Sequence, residues 1–349
     1  MKKFLTTMRT GVSGVLVLAA ALAVTPTLAF ADDAPTLDAD VKAAAASDKK
    51  TYEDGFTKKL TVGGTGTTQS TSSWVGAVDG TTIQIGVLVT GETSLVRSRH
   101  EWKNELKLQH AQTRTPLLDS FVKSSDNLEF QSTWMYHPVS IDWLGPFARV
   151  RLQTQIFSGY DVRTDAGTVE RTALGGAVTT EPTTAQQRVV TTSPFEPALL
   201  KETAGAFANP IEGKFLNLTA VVGVGAQSLF AQDGWAVTGY DKDNHVTKLK
   251  QLETAHEVGA EVEVKAGGEL SDTVKWSAKA GWFMPAYSTS SSKQSGIDAL
   301  NTDLTAGISV KLAKWASLDY VVNLKRIPLV LDDWQLQHGM LLTAGFNIL

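Results

Sequence analysis

Glu261 and Glu263 are the residues of this sequence whose type and spacing come nearest to a reaction. Two carboxylates on one face could supply the acid and base of a glycosidase. Lys265, Lys275 and Lys279 follow closely, and cations at that range hold both carboxylates ionised. That favours structural ion pairing over a protonated catalytic acid. The six histidines, His100, His110, His137, His245, His256 and His338, are scattered and show no metal-ligand spacing. A barrel-embedded hydrolase needs a serine beside a histidine; His110 and His338 are the candidates by strand parity, and no serine is placed at their depth. Gly63-Gly64-Thr65-Gly66 has the glycines of a phosphate loop but no helix pattern after it, and reads as a strand-end turn. Without cysteine there is no disulfide framework and no thiolate metal site. The residues point to no catalytic, metal or cofactor site, and the chain reads as a non-enzyme.

The elements carrying these residues are strands. From Val258 to Ala266 every second residue is apolar, and Glu257, Glu261, Glu263 and Lys265 stand between. Val274, Trp276, Ala278, Ala280 and Trp282 repeat the pattern on a return leg, opposite Lys275 and Lys279. A period of two on both sides of a Gly-rich break is a hairpin signal. A turn centred near Leu270 sets Glu261 opposite Lys279 and Lys265 opposite Lys275.

The same alternation recurs about twelve times, each run near the length a tilted strand needs to cross a bilayer. Predicted connections alternate in length. Short ones fall near Arg97, Asp142, Ile211, Gly268 and Ala313. Long ones fall at Gly66–Ser73, Thr113–Ser124, Asp161–Thr192, Gln232–Lys248, Ser288–Gly296 and Arg326–Asp333. Trp102, Trp134, Tyr136, Trp276, Trp282, Tyr287, Tyr320 and Trp334 lie on the apolar face, as interfacial girdles require. The expected fold is all-β: a transmembrane up-and-down antiparallel barrel of about twelve strands, within a range of about ten to fourteen.

Lys2, Lys3 and Arg9, the apolar stretch Gly11–Val24 and Ala29-Phe30-Ala31 make residues 1–31 a cleaved signal peptide. Residues 32–55 form an acidic, Ala-rich leader, and 56–349 the barrel, with 161–192 as its long outer loop. The expected location is a Gram-negative outer membrane. A net charge of −4 gives no basic surface for nucleic acid.

Trp74-Val75-Gly76-Ala77, Trp102-Lys103-Asn104-Glu105-Leu106, Asp126-Asn127-Leu128, Thr154-Gln155-Ile156-Phe157-Ser158-Gly159-Tyr160 and Ser193-Pro194-Phe195 together resemble an uncharacterised bacterial family of outer-membrane barrels, of the domain of unknown function 3078 type. The resemblance spans roughly Phe56 to the C-terminus on its strand spacing. It departs at Trp74, where Gly76-Ala77 replaces the family's Trp-x-x-Gly-Gly. It implies fold and location and carries no chemistry.

The lumen-lining candidates are Glu105, Lys107, Glu129, Arg149, Arg151, Glu261, Glu263, Lys265, Lys275, Lys279, Asp319 and Lys325. Mixed signs argue against a strongly ion-selective pore. They suit a porin-like passive channel for small polar solutes, with Gly223, Gly225, Gly259 and Gly281 leaving room inside. The alternative is a structural or surface-interaction barrel plugged by its own salt bridges. Expected partners are outer-membrane lipid, the barrel-assembly machinery through the C-terminal strand, and a surface partner of loop 161–192.

Overall fold

The computed structural model describes residues 54–71, 80–291, 295–329 and 331–347. The signal peptide, nearly all of the leader and the Trp74 motif lie outside the described residues. In chain order the strands are β1 (Gly55–Thr71), β2 (Gly80–Arg97), β3 (His100–Arg114), β4 (Val122–Tyr136), β5 (Leu144–Thr154), β6 (Gly159–Val162), β7 (Gly167–Thr172), β8 (Val178–Thr183) and β9 (Arg188–Thr192). They continue with β10 (Ala198–Ile211), β11 (Asn217–Phe230), β12 (Trp235–Asp241), β13 (Val246–Gln251), β14 (Ala255–Glu269), β15 (Val274–Ser288), β16 (Asn301–Ala313), β17 (Ala316–Ile327) and β18 (Leu331–Asn347).

Twelve of these close into an antiparallel barrel, in the order β1-β18-β17-β16-β15-β14-β11-β10-β5-β4-β3-β2. Closure is made by β1 against β18, from Thr61 opposite Asn347 to Thr65 opposite Thr343. Closing the sheet removes every edge, as a β-structure in lipid requires. The alternation dictates which face is which. Val222, Val224 and Leu336 are 56%, 68% and 65% exposed on the outside, whereas Glu261, Glu263 and Arg149 are only 2%, 4% and 7% exposed inside. A soluble barrel buries the first set and wets the second. This burial is inverted, and it makes the barrel a transmembrane one.

Short turns at residues 98–99, 137–143, 212–216, 270–273 and 314–315 share one end with the start of β1 and the end of β18. Ser98 and Arg99 both take positive φ (47° and 69°), the conformation of a two-residue hairpin turn. The opposite end, the mouth, carries the longer connections.

Four expectations about connections need correction. Residues 161–192 are not a structureless loop. They hold β7, β8 and β9 and the second half of β6, and β7 pairs in parallel with β13 from the next long connection. The segment Gln232–Lys248, expected as a polar loop, contains β12 and the start of β13. Together they build a four-stranded sheet, β12-β13-β7-β8, above the mouth, with a small β6-β9 ribbon beside it. Local alternation could not reveal it, because β8 is exposed on both faces and β7 finds its partner more than seventy residues away. The expected long connection at Gly66–Ser73 starts later, since β1 runs to Thr71. The one at Arg326–Asp333 shrinks to a tight turn, with Ile327 opposite Leu331.

The hairpin register also differs. Strand β14 runs to Glu269, which sets Lys265 opposite Lys279, Glu261 opposite Phe283, Glu263 opposite Gly281 and Lys275 opposite Glu269. Gly267 and Gly268 therefore lie inside the strand. A Cβ on Gly268 would sit 1.8 Å from the Phe215 carbonyl oxygen, so this glycine serves close backbone approach and not reversal.

Candidate functional site

Halfway along the wall a lattice of charges joins β5 to β14, three strand positions away. Arg149 on β5 reaches across β10 and β11 to β14, where Nη2 meets Glu261 Oε1 at 2.8 Å and Nη1 meets Glu263 Oε1 at 2.7 Å. In register, Thr203 on β10 and Gly225 on β11 lie between Arg149 and Gly259 of β14. Gly205 and Gly223 face each other one step nearer the short-turn end, and a Cβ on Gly205 would fall 2.1 Å from the Val222 carbonyl oxygen. A Cβ on Gly223, Gly225 or Gly259 would likewise meet a carbonyl oxygen of the neighbouring strand, at 2.5, 2.8 and 2.0 Å, so these glycines serve close approach of strands.

Lys201 Nζ meets Glu261 Oε1 at 2.8 Å, and Thr203 Oγ1 donates to Glu261 Oε2. Arg151 lies 3.2 Å from Glu129 and 3.9 Å from Glu263, and it donates twice to Gln131 Oε1. Gln131 in turn donates to Glu105. Lys265 Nζ stands 3.6 Å from Glu263. Phe147 and Phe283 pack against the two cations, with Arg149 5.8 Å and Lys201 5.0 Å from the ring centroids. Charges taken this far from bulk water persist only when paired and hydrogen-bonded, and each of these is.

Of the twelve lumen candidates, Glu105, Glu129, Arg149, Arg151, Glu261, Glu263 and Lys265 join this lattice. Lys279 pairs instead with Asp303 at 3.0 Å, and Lys325 lies opposite Asp303 in register. Lys107 sits between Thr90 and Glu129 in register. Asp319 is a separate hub that accepts from Ser309, Ser317 and Thr343. Lys275 belongs to the short-turn end, 2.8 Å from Glu269 and half-exposed. The expectation that lysines hold the Glu261/Glu263 pair is thus corrected: the main partner is Arg149, from more than a hundred residues away.

Lys201, Thr203, Gln131 and Asp303 were missing from the candidates. On β10 the signal is blurred because Glu202 points outward while Leu199 and Phe207 point inward. Gln131 and Asp303 alternate correctly and could have been found by parity.

Three of the motifs behind the family resemblance, Asp126–Leu128, Thr154–Tyr160 and Ser193–Phe195, meet elsewhere, where β5 leaves the barrel for the upper sheet. Asp126 is buried and accepts from the backbone N–H groups of Ile156 and Phe157 at 3.2 and 2.8 Å. Lys123 Nζ spans Asp126, Gln155 and the Phe157 carbonyl at 2.9–3.1 Å. Gln155 donates to Thr192 and to the Glu196 carbonyl, and its own carbonyl accepts from Phe195 N–H at 2.9 Å. The Tyr160 hydroxyl accepts from Lys123 N–H. These bonds tie both ends of the 155–197 excursion to the rim, a latch between barrel and upper sheet. Nearby, Glu253 receives Ser290 and Ser291. Its burial pushes the carboxyl pKa up, but the bonds from Ser291 and Ser290 outweigh that and hold it below the usual range.

Catalytic geometry is not assembled. Ser228 and His256 do meet on the outward face, with Oγ 2.9 Å from Nδ1, a pairing that the sequence reading did not place. Among the described residues no carboxylate or amide orients the other ring nitrogen, as a triad requires. No group of three or more metal-ligating side chains gathers among the described residues.

Solved structures of similar topology include the COG4313 outer membrane channel from Pseudomonas putida F1, at 9% identity over 86% of this chain and 98% of that one, with a TM-score of 0.39. The translocator domain of the autotransporter NalP from Neisseria meningitidis is 13% identical over 88% of this chain and 92% of that one, with a TM-score of 0.38. No curated protein matches. Over residues 67–160, a stretch holding the Trp74, Trp102, Asp126 and Thr154–Tyr160 motifs, the chain matches the family described as protein of unknown function (DUF3078), in keeping with the resemblance read from those motifs.

Proposed function

We propose that this chain is an outer-membrane barrel closed at its waist by the Arg149–Glu261–Glu263 lattice, and that it serves to present the β12-β13-β7-β8 sheet at the cell surface. The observation that carries this reading is the burial of the inward charges: side chains facing a wide aqueous pore stay wet, and these do not. A small apolar cluster of Leu199, Leu229, Ala231, Ala236 and Leu252 adds to the closure at the mouth. Leu329 packs on it from the β17–β18 turn, four strands round the wall from β11. The upper sheet joins two separate excursions and is latched to the rim, which suits a fixed surface feature better than a mobile loop.

Liposome swelling tests the closure. Vesicles carrying the folded barrel should swell in small sugars no faster than empty vesicles, and porin-like swelling would contradict it. Protease added to intact cells should reach the upper sheet and leave the barrel strands.

Passage of small polar solutes, after the lattice rearranges, is the second reading. It is favoured by polar atoms without hydrogen-bond partners, Asn127 Nδ2, Gln227 Nε2 and Asp303 Oδ1, which mark a lining able to take hydrated guests. It predicts conductance that appears only under conditions weakening ion pairs, such as molar salt.

A further inference from the structure

At the short-turn end the outward wall is apolar except in one sector. Within four residues of that end, the outward positions of β5, β10, β11 and β14–β18 are apolar or aromatic, as at Pro146, Ala208, Leu218, Ala266, Leu312 and Leu318. On β1–β4 three rows of outward side chains differ. In the outermost row Arg97 faces His100, and His100 faces Tyr136. The next row runs Phe56, Leu95, Trp102 and Trp134, and exposure of the first three places it on the lipid side. The third runs Lys58, Thr93, Asn104 and Ser132, a polar row set deeper than the aromatic one.

Polar side chains facing lipid are costly unless bonded, and this row is bonded in one direction. Trp102 Nε1 donates to Ser132 Oγ at 2.8 Å, Ser132 Oγ to Asn104 Oδ1 at 2.8 Å, and Asn104 Nδ2 to Thr93 Oγ1 at 3.3 Å. The run therefore ends on the Thr93 hydroxyl, with its own proton left to give and Lys58 opposite it. Trp134 Nε1 donates to His100 Nδ1 at 3.2 Å, which leaves the His100 proton on Nε2. Among the described residues, Lys58, Arg97 and His100 Nε2 meet no acceptor. Asp54, at the foot of β1, is engaged by Ser98 N–H at 2.7 Å and pairs with neither cation. By contrast, Lys214 and Lys275 at the same end both pair with Glu269. Lys58 and Arg97 flank the exposed Phe56–Leu95 pair, and their stems are long enough to bring both charges over it. The sector gathers donors and positive charge without an acceptor, beside an apolar wall continued by Leu60, Leu106 and Phe130.

We propose that the outer face of β1–β4 at the short-turn end is a binding site for an anionic phospholipid. Lys58 and Arg97 hold the phosphate oxygens, Thr93 and His100 donate to them, and the acyl chains lie on Leu60, Leu106 and Phe130. A phosphate on an apolar body supplies the acceptors that the sector lacks. A zwitterionic lipid brings its own ammonium to the same cations, so the anionic headgroup is preferred. The site stands apart from the waist: a conducting wild-type barrel would overturn the closure and leave this proposal untouched.

Native mass spectrometry of the full-length folded barrel tests it, in neutral detergent with equal amounts of dioleoyl phosphatidylglycerol and dioleoyl phosphatidylcholine. The wild type should retain one phosphatidylglycerol, and phosphatidylcholine about tenfold less or lower still. The double variant Lys58→Gln/Arg97→Gln, changed at two exposed positions, should lose phosphatidylglycerol by about tenfold or more. Lys314→Gln, which removes an exposed cation from another short turn, should retain it. If the double variant does not fold, the wild type's choice between the two lipids still decides. Millimolar inorganic phosphate, which has no apolar body, should not displace the lipid. Equal retention of both lipids, undiminished retention by the folded double variant, or equal loss in Lys314→Gln would each overturn the assignment. So would displacement by inorganic phosphate, or a dimer of this chain that excludes the lipid.

Discussion

The two sides of the barrel wall solve the same problem differently. On β5, β10 and β14 several inward residues are long and charged, with inward glycines on β11 between them, and they bond to strands two or three positions away. On β16, β17 and β18 short side chains carry most of the bonds: Thr305 donates to Asn323 at 2.9 Å, and Ser309, Ser317 and Thr343 converge on Asp319. On the first side charges pair across intervening strands, and on the second each polar group bonds within its own strand or to the strand beside it. Reach decides the difference. An arginine over glycine can cross two strands, whereas a serine or threonine satisfies only its neighbour.

Substitutions that reverse or shorten side chains should separate the two sides. The largest effect is expected from Glu263→Lys, which puts a cation among Arg149, Arg151 and Lys265; folding in lipid vesicles, followed by the gel shift between unheated and boiled samples, should fail or become incomplete. Arg149→Met comes next. It leaves Glu261 with Lys201 and Glu263 with the more distant Arg151 and Lys265, and should cost about 3–5 kcal/mol in a urea titration followed by tryptophan fluorescence. A cost below about 1 kcal/mol would mean the lattice is bathed in water like a surface pair. On the other side, Asp319→Ala removes hydrogen bonds to one charged hub and should cost about 2 kcal/mol in the same titration while leaving conductance unchanged. Lys275→Ala, at the half-exposed pair with Glu269, should cost about 0–1 kcal/mol, and a larger loss would show that the short-turn end is sealed from solvent.

Much of the barrel was legible, because its signal is local. Val258, Ala260 and Val262 against Glu257, Glu261 and Glu263 name the faces without knowledge of any other strand. The hairpin register was not legible, since Gly267-Gly268 carries the chemistry of a turn while serving as a passage for the Phe215 backbone. The parity of Arg149, Glu261 and Glu263 was visible, but their union was not: nothing within a strand says which distant strand an arginine will meet. The upper sheet was missed for the same reason. The parallel pairing of β7 with β13 joins two excursions that each look like a Thr- and Gly-rich loop.

The central claim is that one arginine and two glutamates keep the lumen shut. Single-channel recording of wild-type and Arg149→Ala barrels in the same planar bilayers, each shown folded by circular dichroism, tests it most directly. The account predicts a silent wild type and discrete conductance steps in the variant; steps of equal size in both would contradict it.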